Sequence, residues 1–598
     1  MALVLTYTKR VREALKAPTR LIADLAFLAF AAGVLGLLVM MGKQVSAQYT
    51  PKVEISLSFL TLPKCTLLSL GRGFAAYVLS LLFTLVYGTV AAHNHRAERV
   101  MIPALDVLQA IPVLGFLPGV VLAMIRIFPT REIGLEIACV VMIFTAQVWN
   151  MTFSFHGSLR AIPQPLHEVA AIHRLSGWQK FRLLEVPASM IGLVWNSMMS
   201  MAGGWFFLTV NEAFTLGDHD YRLPGIGSYM NEAINQHNTP AMIAAIFAMV
   251  IMIVAVDQLF WRPIVVWSQR FRMEDLSGEE QQSWVLDLLR RSRIYTWSAA
   301  AIEARRQHRH REKAMAVLAV GDGNGKAATP TSTAGRRGRP GNAIAAMLPW
   351  LVLALLAVGA IWGTIELVRL LVHLPIHDAK KHEDWLSVVL ALGASFLRTT
   401  GAVALGALWT LPAGIMIGRS PKWSSRLQPI IQVVASFPAP MLFPIVTMAL
   451  VVLKIPFTIG CVALMLLGAQ WYILFNVIAG AMAIPSDLKE VCSVYRMGRL
   501  ERWRRLYLPC VFPYLVTGLV TAAGGAWNAT IVSEFVQLPS RTFVAFGLGS
   551  LISRATTEAN YSLLAAGVVT MAVFVVFLNR LFWKRLYRLA EERYSLNV

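Results

Sequence analysis

The sequence predicts an all-α polytopic membrane protein in which two tandem six-helix units, about twelve transmembrane helices in all, are related by a pseudo-twofold axis. Three observations support this prediction. Of the 598 residues, 56% are hydrophobic and only 15% are charged, whereas soluble globular chains carry about 25% charged residues. The apolar residues form runs near the ~20 residues that a helix needs to cross a bilayer. The chain also contains a long internal repeat.

The repeat relates two basic, amphipathic segments that each open with Glu-Val and close with Pro. Segment 168–187 reads EVAAIHRLSGWQKFRLLEVP, and segment 490–509, which lies 322 residues later, reads EVCSVYRMGRLERWRRLYLP. The offset holds without a gap far beyond these segments, so the chain is a tandem duplication with a period too long for a solenoid. Further residues pair at this offset, or upstream at an offset of 326: Trp205 with Trp527, Glu212 with Glu534, and Arg72 with Arg398.

The apolar runs predict where the chain crosses the membrane. In lipid the backbone must satisfy its own hydrogen bonds, so each run is expected to be a helix. The first run competes with a signal-peptide interpretation, but about 21 residues is long for a signal h-region, and we interpret it as a span. The predicted spans are 21–41, 68–92, 104–127, 133–156, 189–212 and 241–265, then 346–372, 392–418, 429–453, 456–481, 511–534 and 563–583.

Charge predicts the orientation of these helices. A formal net charge of +21 would suggest nucleic-acid binding in a soluble protein. In a membrane protein it indicates Lys and Arg retained on cytoplasmic loops. With both termini in the cytoplasm, the dense basic clusters lie inside, and the outer loops 213–240 and 535–562 carry only three Lys or Arg residues. We expect a first membrane unit over 1–267, a basic, partly flexible cytoplasmic linker over 268–345 and a second membrane unit over 346–598.

Two other patterns argue against bound metal or nucleotide on this chain. None of the five cysteines forms a CxxC pair, so neither a disulfide framework nor a zinc site is predicted. The stretch 321–326, GDGNGK, resembles a phosphate-binding loop, but only three residues separate its outer glycines and Ala327 follows the lysine. We therefore expect no metal site and no cofactor on this chain.

The repeated segments are the first candidates for function. Val169, Ile172 and Leu175 recur at intervals of three and give the first segment one apolar stripe with basic neighbours. Such a cytoplasmic helix can lie on the membrane surface, pack against its own protein, or dock into the groove of a partner. The residues alone leave these alternatives open.

Both segments resemble the EAA loop of binding-protein-dependent ABC importer permeases of the type I fold. That family's pattern is Glu-Ala-Ala, a Gly at the seventh position and a closing Leu-Pro at the twentieth. The Glu-to-Pro spacing agrees in both copies, but the seventh position is Arg174 or Arg496, with glycines instead at Gly177 and Gly498. The turn after the helix is therefore expected to be built differently.

The resemblance implies that each segment is a coupling helix seated on one of two copies of an ABC ATPase subunit. ATP and Mg²⁺ would then bind to those partners, an extracytoplasmic solute-binding protein would deliver the substrate, and this chain would be a transport subunit of the bacterial inner membrane rather than an enzyme. No nucleic-acid partner is implied. The implied ATPase-coupling residues are Glu168, Val169, Ala171, Arg174, Gly177 and Pro187, and Glu490, Val491, Arg496, Gly498 and Pro509.

Two further blocks, 202–212 and 524–534, resemble the nitrate, sulfonate and bicarbonate group of these permeases, and the fused organisation resembles duplicated permeases of anion import. The resemblance implies a small anion as substrate. Ionisable groups inside membranes are functional candidates by default. The tentative substrate-pathway residues are therefore Arg72, Arg398, Trp205, Trp527, Glu212 and Glu534.

For each of these pathway candidates, a structural role without substrate contact is the alternative. Arg72 and Arg398 can snorkel to the interface or pair with a loop carboxylate. Glu212 and Glu534 can cap loop amides, and the Gly-rich stretches before Trp205 can serve close helix packing.

Two other functions remain open from the sequence. One is an ion-coupled secondary transporter with parallel internal repeats. The other is a membrane scaffold whose basic loops recruit a cytoplasmic enzyme.

Overall fold

The computed structural model describes residues 54–110, 112–129, 132–216, 219–271, 283, 285–287, 365, 384–538 and 541–594. The chain divides into two compact units, one formed by 1–36 with 283–374 and the other by 37–282 with 375–598. Few residues of the smaller unit are described, so the account below concerns the larger one, which holds both repeats. The predicted spans 21–41 and 346–372, the stretch 321–326 and most of the linker lie outside the described residues.

The first repeat is helical apart from one hairpin. Short 3₁₀ turns occupy Val113–Phe116 and Gln269–Phe271, and π-helical turns occupy Phe181–Glu185 and Asp257–Trp261. Its regular elements are α1 Leu62–His93, α2 His95–Ala110, α3 Leu117–Ile127, α4 Ile133–Arg160, α5 Gln164–Ile172, α6 Gly177–Lys180, α7 Val186–Asn211, β1 Ala213–Leu216, β2 His219–Arg222, α8 Ile226–Asn235, α9 Thr239–Val256 and α10 Arg262–Ser268.

The second repeat follows the same order. Its π-helical turns, Trp503–Tyr507 and Asn579–Trp583, stand at the positions equivalent to those of the first. Its regular elements are α11 Trp385–Gly418, α12 Pro421–Ser436, α13 Ala439–Val452, α14 Phe457–Met482, α15 Ser486–Val494, α16 Arg499–Arg502, α17 Leu508–Ser533, β3 Phe535–Leu538, β4 Arg541–Val544, α18 Leu548–Thr557, α19 Tyr561–Leu578 and α20 Lys584–Tyr594.

The same residue types begin equivalent helices in the two repeats. The side chain of Asn238 accepts a hydrogen bond from the Ala241 amide at the start of α9, and Asn560 does the same for Leu563 at the start of α19. Each cap satisfies one of the amides that the first turn of a helix leaves unpaired. The duplication is therefore retained at the level of local structure.

Each repeat contains one short antiparallel hairpin that the all-α prediction omitted. In the first, Ala213 pairs with Arg222 and Leu216 with His219. In the second, Phe535 pairs with Val544. We call the end of the molecule that carries these strands the hairpin end, and the opposite end, which carries 168–187 and 490–509, the segment end.

Among the described residues, seven helical stretches are long and apolar enough to cross a membrane, or eight if one bent pair counts as a single span. Helix α7 is 26 residues long but is interrupted by polar residues such as Asn196 and falls outside this set. The fold is thus a polytopic helical membrane protein, as predicted.

Two predicted spans are wrong as single helices. Within 104–127 the helix α2 stops at Ala110 and a new helical stretch begins after Pro112. Within 429–453 the helices α12 and α13 meet at an angle of 82° beside Pro438. Proline disfavours helical geometry in the residue before it and lacks an amide hydrogen, so both spans break at the equivalent proline.

Three long helices form the core of each repeat. Helix α4 packs between α1 and α7, and α14 packs between α11 and α17 in the same arrangement. The repeats also contact each other reciprocally, since α2 packs on α19 and α12 packs on α9. Each repeat therefore contributes one helix that packs on a helix of the other repeat, at equivalent places.

Candidate functional site

The two repeated segments present the same apolar face. Ala170 and its equivalent Cys492 are each 6% exposed and anchor the short helices α5 and α15 to the protein. Two residues later, on the opposite side of the helix, Ile172 is 77% exposed and its equivalent Val494 is 79% exposed. Val169 and Val491 are each 48% exposed. Two helices that bury and expose the same positions have the same orientation on their repeats.

The turn after each helix contains a residue in the left-handed conformation, which glycine adopts most readily. Arg174 and Arg496 both have φ of 48°, in the left-handed region. The Leu175 amide donates to the Ala170 carbonyl at 3.0 Å and the Arg174 amide to the Ala171 carbonyl at 2.9 Å, the pattern of a Schellman motif. The seventh position, where the family pattern has Gly, is therefore left-handed in both segments although it carries Arg.

The other implied coupling residues lie close to these turns. Glu168, Ala171 and Glu490 are exposed. Gly177 begins α6, whereas Gly498 is the N-cap of α16 and is equivalent to Ser176. Pro187 and Pro509 stand in the first turns of α7 and α17. Their roles in coupling stay a prediction.

A side-chain contact ties each segment to the first core helix of its repeat. In the first repeat the buried Glu185, in the π turn, accepts from His93 Nε2 at 2.8 Å and lies 3.6 Å from Lys180 Nζ. In the second, the guanidinium of Arg419 lies 4.5 Å from the centre of the Tyr507 ring. His93 and Arg419 are equivalent, as are Glu185 and Tyr507. One side-chain contact therefore joins each segment to the C-terminal end of α1 or α11.

A buried ion cluster stands at the hairpin end of the first repeat. Arg72 is 1% exposed. Its guanidinium donates twice to Glu136, at 2.7 Å each, and once to Glu212 at 2.7 Å and to the Pro224 carbonyl at 2.9 Å. The other oxygen of Glu212 accepts from the Gly227 amide at 2.8 Å. One arginine thus joins α1, α4, α7 and the loop before α8.

The second repeat keeps this cluster with one change. Arg398 donates to Glu534 at 2.9 Å, and Glu534 also accepts from the Gly549 amide at 2.9 Å. Thr458 stands where the first repeat has Glu136, and only its backbone carbonyl accepts from Arg398, at 3.1 Å. The second guanidinium therefore has one carboxylate partner where the first has two.

Glycines make room for both carboxylates. A Cβ atom added at Gly225 would lie 2.3 Å from the Glu212 carboxylate, and one added at Gly547 would lie 2.3 Å from that of Glu534. These distances leave no space for a side chain. The equivalence of these two glycines in the sequence is thus explained by the close approach of the loop to the carboxylate.

A cavity of about 140 Å³ lies between the two repeats. Its walls include side chains at equivalent positions of both, among them Trp149 with Trp471 and Asn150 with Tyr472. Within the described part of the chain, no Asp, Glu, Lys, Arg or His lines it. The cavity is therefore uncharged, with aromatic, amide, hydroxyl and aliphatic groups on its wall.

The six tentative pathway residues lie away from the described wall of this cavity. Both arginines pair with carboxylates, and both glutamates accept hydrogen bonds from loop amides. These are the structural roles that the sequence left open as alternatives to substrate contact. Trp205 packs so closely that a Cβ atom at Gly73 would lie 2.7 Å from its ring. Their assignment to the substrate pathway stays a prediction.

Sequence reasoning missed the glycine stretches as cavity residues. It assigned them to helix packing, yet Ala202, Gly203, Gly524 and Gly525 all line the cavity. Two features of the sequence could have indicated the cavity. The small residues recur at equivalent positions of the two repeats, and the polar residues Asn150 and Tyr472 also stand at equivalent positions, inside apolar runs.

We expect Arg174→Gly to be tolerated and to raise stability by up to about 1 kcal/mol, because a non-glycine residue in the left-handed region costs roughly 1–2 kcal/mol and the flexibility of glycine offsets part of the gain. Arg174→Val should instead destabilise the protein. The same glycine at the neighbouring His173, whose φ is −76°, should destabilise by about 0.5–1 kcal/mol. Unfolding midpoints in detergent compare the three variants, and equal losses at 173 and 174 would contradict the strain argument.

We expect Glu136→Thr, which installs the residue of the second repeat, to destabilise the protein by about 3 kcal/mol, because it removes a carboxylate from a buried ion cluster. The matched change is Thr458→Val, which keeps the carbonyl that Arg398 uses and should cost less than about 0.5 kcal/mol. Denaturant unfolding in detergent measures both. Similar losses for the two variants would show that the second carboxylate adds nothing.

The comparisons with known proteins agree with the repeat. Residues 84–260 and 410–595 each match the family described as binding-protein-dependent transport system inner membrane component. The chain is 26% identical over 190 residues to a nitrate import permease protein of Leptolyngbya laminosa, covering 32% of this chain and 64% of that protein. It is 32% identical over 144 residues to a bicarbonate transport system permease protein of Synechocystis sp., covering 24% and 50%.

A third relative is a putative aliphatic sulfonates transport permease protein of Bacillus subtilis, 26% identical over 206 residues, 33% of this chain and 71% of that protein. The chain spans about half to two thirds of the length of the nitrate and bicarbonate permeases it matches. The matches confirm the resemblance to importer permeases. Because the two matched ranges together cover more than half of the chain and one falls in each repeat, this protein belongs to the inner membrane components of binding-protein-dependent transport systems and carries that domain twice.

Proposed function

We propose that this chain is the membrane-spanning permease of an ATP-driven ABC importer for a small anion, with both halves of the translocation pathway in one polypeptide. The observation that carries the proposal is the pair of exposed apolar faces on α5 and α15. Their matched exposure, 77% for Ile172 and 79% for Val494, is what docking into two like grooves requires. Two copies of an ATPase subunit, which bind ATP and Mg²⁺, would supply those grooves.

The contacts behind the two faces support a mechanical role. His93 with Glu185 and Arg419 with Tyr507 connect the segments to α1 and α11, whose other ends hold Arg72 and Arg398. ATP-driven closure of the ATPases would move both segments together. The core helices would then shift as bodies and open the cavity to one side or the other, the two-state behaviour that coupled transport needs.

The cavity supports a transport function over the alternatives. A secondary transporter usually places ionisable groups at its central site, and the described wall of this cavity has none. A scaffold has no need of a cavity that both repeats line. We assign the cavity to the substrate pathway, with the substrate released to the segment end, which would face the cytoplasm of a bacterium, and delivered by a solute-binding protein at the hairpin end.

The substrate assignment rests on relatives whose names specify nitrate, bicarbonate and aliphatic sulfonates. Nitrate and bicarbonate are small oxyanions with a single negative charge, and an aliphatic sulfonate is an oxyanion attached to an organic group. We propose the same class for this chain.

We expect Ile172→Glu with Val494→Glu to abolish co-purification with the ATPase, because each buried aliphatic side chain contributes about 1.5–3 kcal/mol to an interface, or roughly tenfold to hundredfold in affinity. Both side chains are exposed, so the variant should unfold at the wild-type temperature. Either single change should leave one ATPase bound where the wild type holds two. Arg593→Glu, an equally acidic change in α20, is the control. Undiminished co-purification of the double variant would refute the docking assignment.

A further inference from the structure

The uncharged wall of the cavity limits the kind of anion that it can hold. Seven aromatic and four amide side chains stand on it, and the residues that the structure describes there include no full charge. An anion in the cavity would thus be stabilised by dipoles alone. The cost of removing an ion from water rises steeply with its charge, so the wall can accept one delocalised negative charge far more readily than two.

The cavity offers hydrogen-bond donors that the protein does not use. The side-chain amides of Gln109, Asn150 and Gln432 and the hydroxyl of Tyr472 line it without a hydrogen-bond partner among the described residues. Asn528 is different, because its oxygen accepts from the Val113 amide at 2.7 Å and its nitrogen donates to the Gly524 carbonyl at 3.1 Å. Three amides and one hydroxyl are therefore available to a bound molecule, and a fourth amide is committed to holding the repeats together.

Tyr472 is held at the junction of the two repeats by glycines from both. A Cβ atom at Gly203 would lie 3.1 Å from the Tyr472 hydroxyl, and one at Gly525 would lie 3.2 Å from its ring. These glycines are equivalent by the repeat, whereas the position equivalent to Tyr472 is Asn150. One tyrosine therefore occupies the space that the glycines of both halves leave open, and it breaks the symmetry of the site.

We propose that Tyr472, with Asn150 and the amides of Gln109 and Gln432, forms a neutral hydrogen-bonding site that selects singly charged, charge-delocalised anions and rejects doubly charged ones. The inference rests on the proposed function, in that it takes an anion as the cargo. Neutral donors have a mechanistic advantage over a cation, because a transported ion must bind strongly enough to enter and weakly enough to leave. A tyrosine hydroxyl and amide N–H groups match the acceptor oxygens of such an anion.

The test uses the full-length chain in lipid nanodiscs without the ATPase. Binding is followed by the rise in the unfolding temperature during titration with nitrate, bicarbonate, methanesulfonate or sulfate at constant ionic strength, since a ligand that binds only the folded state stabilises it by RT ln(1 + L/Kd), where L is the free ligand concentration. At least one of the three monovalent anions should bind, and sulfate should bind at least tenfold more weakly. For the anion that binds, Tyr472→Phe should raise Kd about tenfold or more, the loss expected for one hydrogen bond to a charged group.

Two further variants separate the donor role from general packing. Gly203→Ala places a methyl group against the Tyr472 hydroxyl and should weaken binding like Tyr472→Phe. The controls are Tyr514→Phe, whose ring packs against Gly480 away from the described cavity wall, and Gly157→Ala, where an added Cβ meets nothing within 4 Å. Both should bind within about twofold of wild type, a difference of about 0.4 kcal/mol.

Three results would overturn the inference: sulfate binding as tightly as the monovalent anions, no binding by any of the three, or affinities unchanged in both Tyr472→Phe and Gly203→Ala. The proposed function is tested separately, by ATP-dependent uptake with the ATPase and binding protein present. Selective binding without such uptake would refute the importer and retain the site. Uptake with unchanged affinity in the variants would refute the site and retain the importer.

Discussion

The pairing of an arginine with a buried glutamate at the hairpin end of each repeat is the contact on which the rest of the structure depends. Arg72 and Arg398 each join the first core helix to the end of the third through Glu212 or Glu534, and the same carboxylates hold the loop amides of Gly227 and Gly549. A buried guanidinium without its carboxylate is expensive, so the helix ends cannot separate independently. The three core helices of a repeat therefore behave as one body, and the cavity wall on α4, α7, α14 and α17 is positioned by that body.

Two ionic contacts of the first repeat correspond to neutral contacts in the second. Glu136 is replaced by Thr458. At the segment end Glu98 pairs with Arg160, and hydrogen bonds from His95 and Arg160 lower the pKa of its carboxyl. The equivalent contact is Ser424 with the sulfur of Met482, at 3.5 Å. The buried Arg72–Glu136 pair fixes geometry more strictly than the neutral contact that stands in its place, so the hairpin end of the first repeat is the more firmly tied of the two.

Features of the fold and of the candidate site could be predicted from the sequence where the same residue types occupy equivalent positions in both repeats. The equivalences and the helix order followed from aligned residues, and the pairing of Arg72 with a loop carboxylate was one of the alternatives left open for it. Glu136 could not be found that way, because its equivalent is Thr458. The breaks at Pro112 and Pro438 were visible as aligned prolines but were overridden by the length of the apolar runs. The left-handed turn at Arg174 was hidden because local propensity argues against it, and tertiary anchoring through Ala170 prevails.

Some exposed positions of the two segments stayed alike, whereas some interior positions differ between the repeats. Val169 and Val491 are equally exposed, and Arg174 and Arg496 share the same φ, so the two segments have the same local exposure and the same turn. Inside the molecule, the equivalent residues Asn150 and Tyr472 differ where both line the cavity, and Glu136 stands where the second repeat has Thr458. A single chain is free to differentiate its interior, because each half always meets the same other half. Only docking onto two identical subunits would constrain the two outward faces to remain equal, and the retained symmetry of α5 and α15 is the pattern that such a partner would impose.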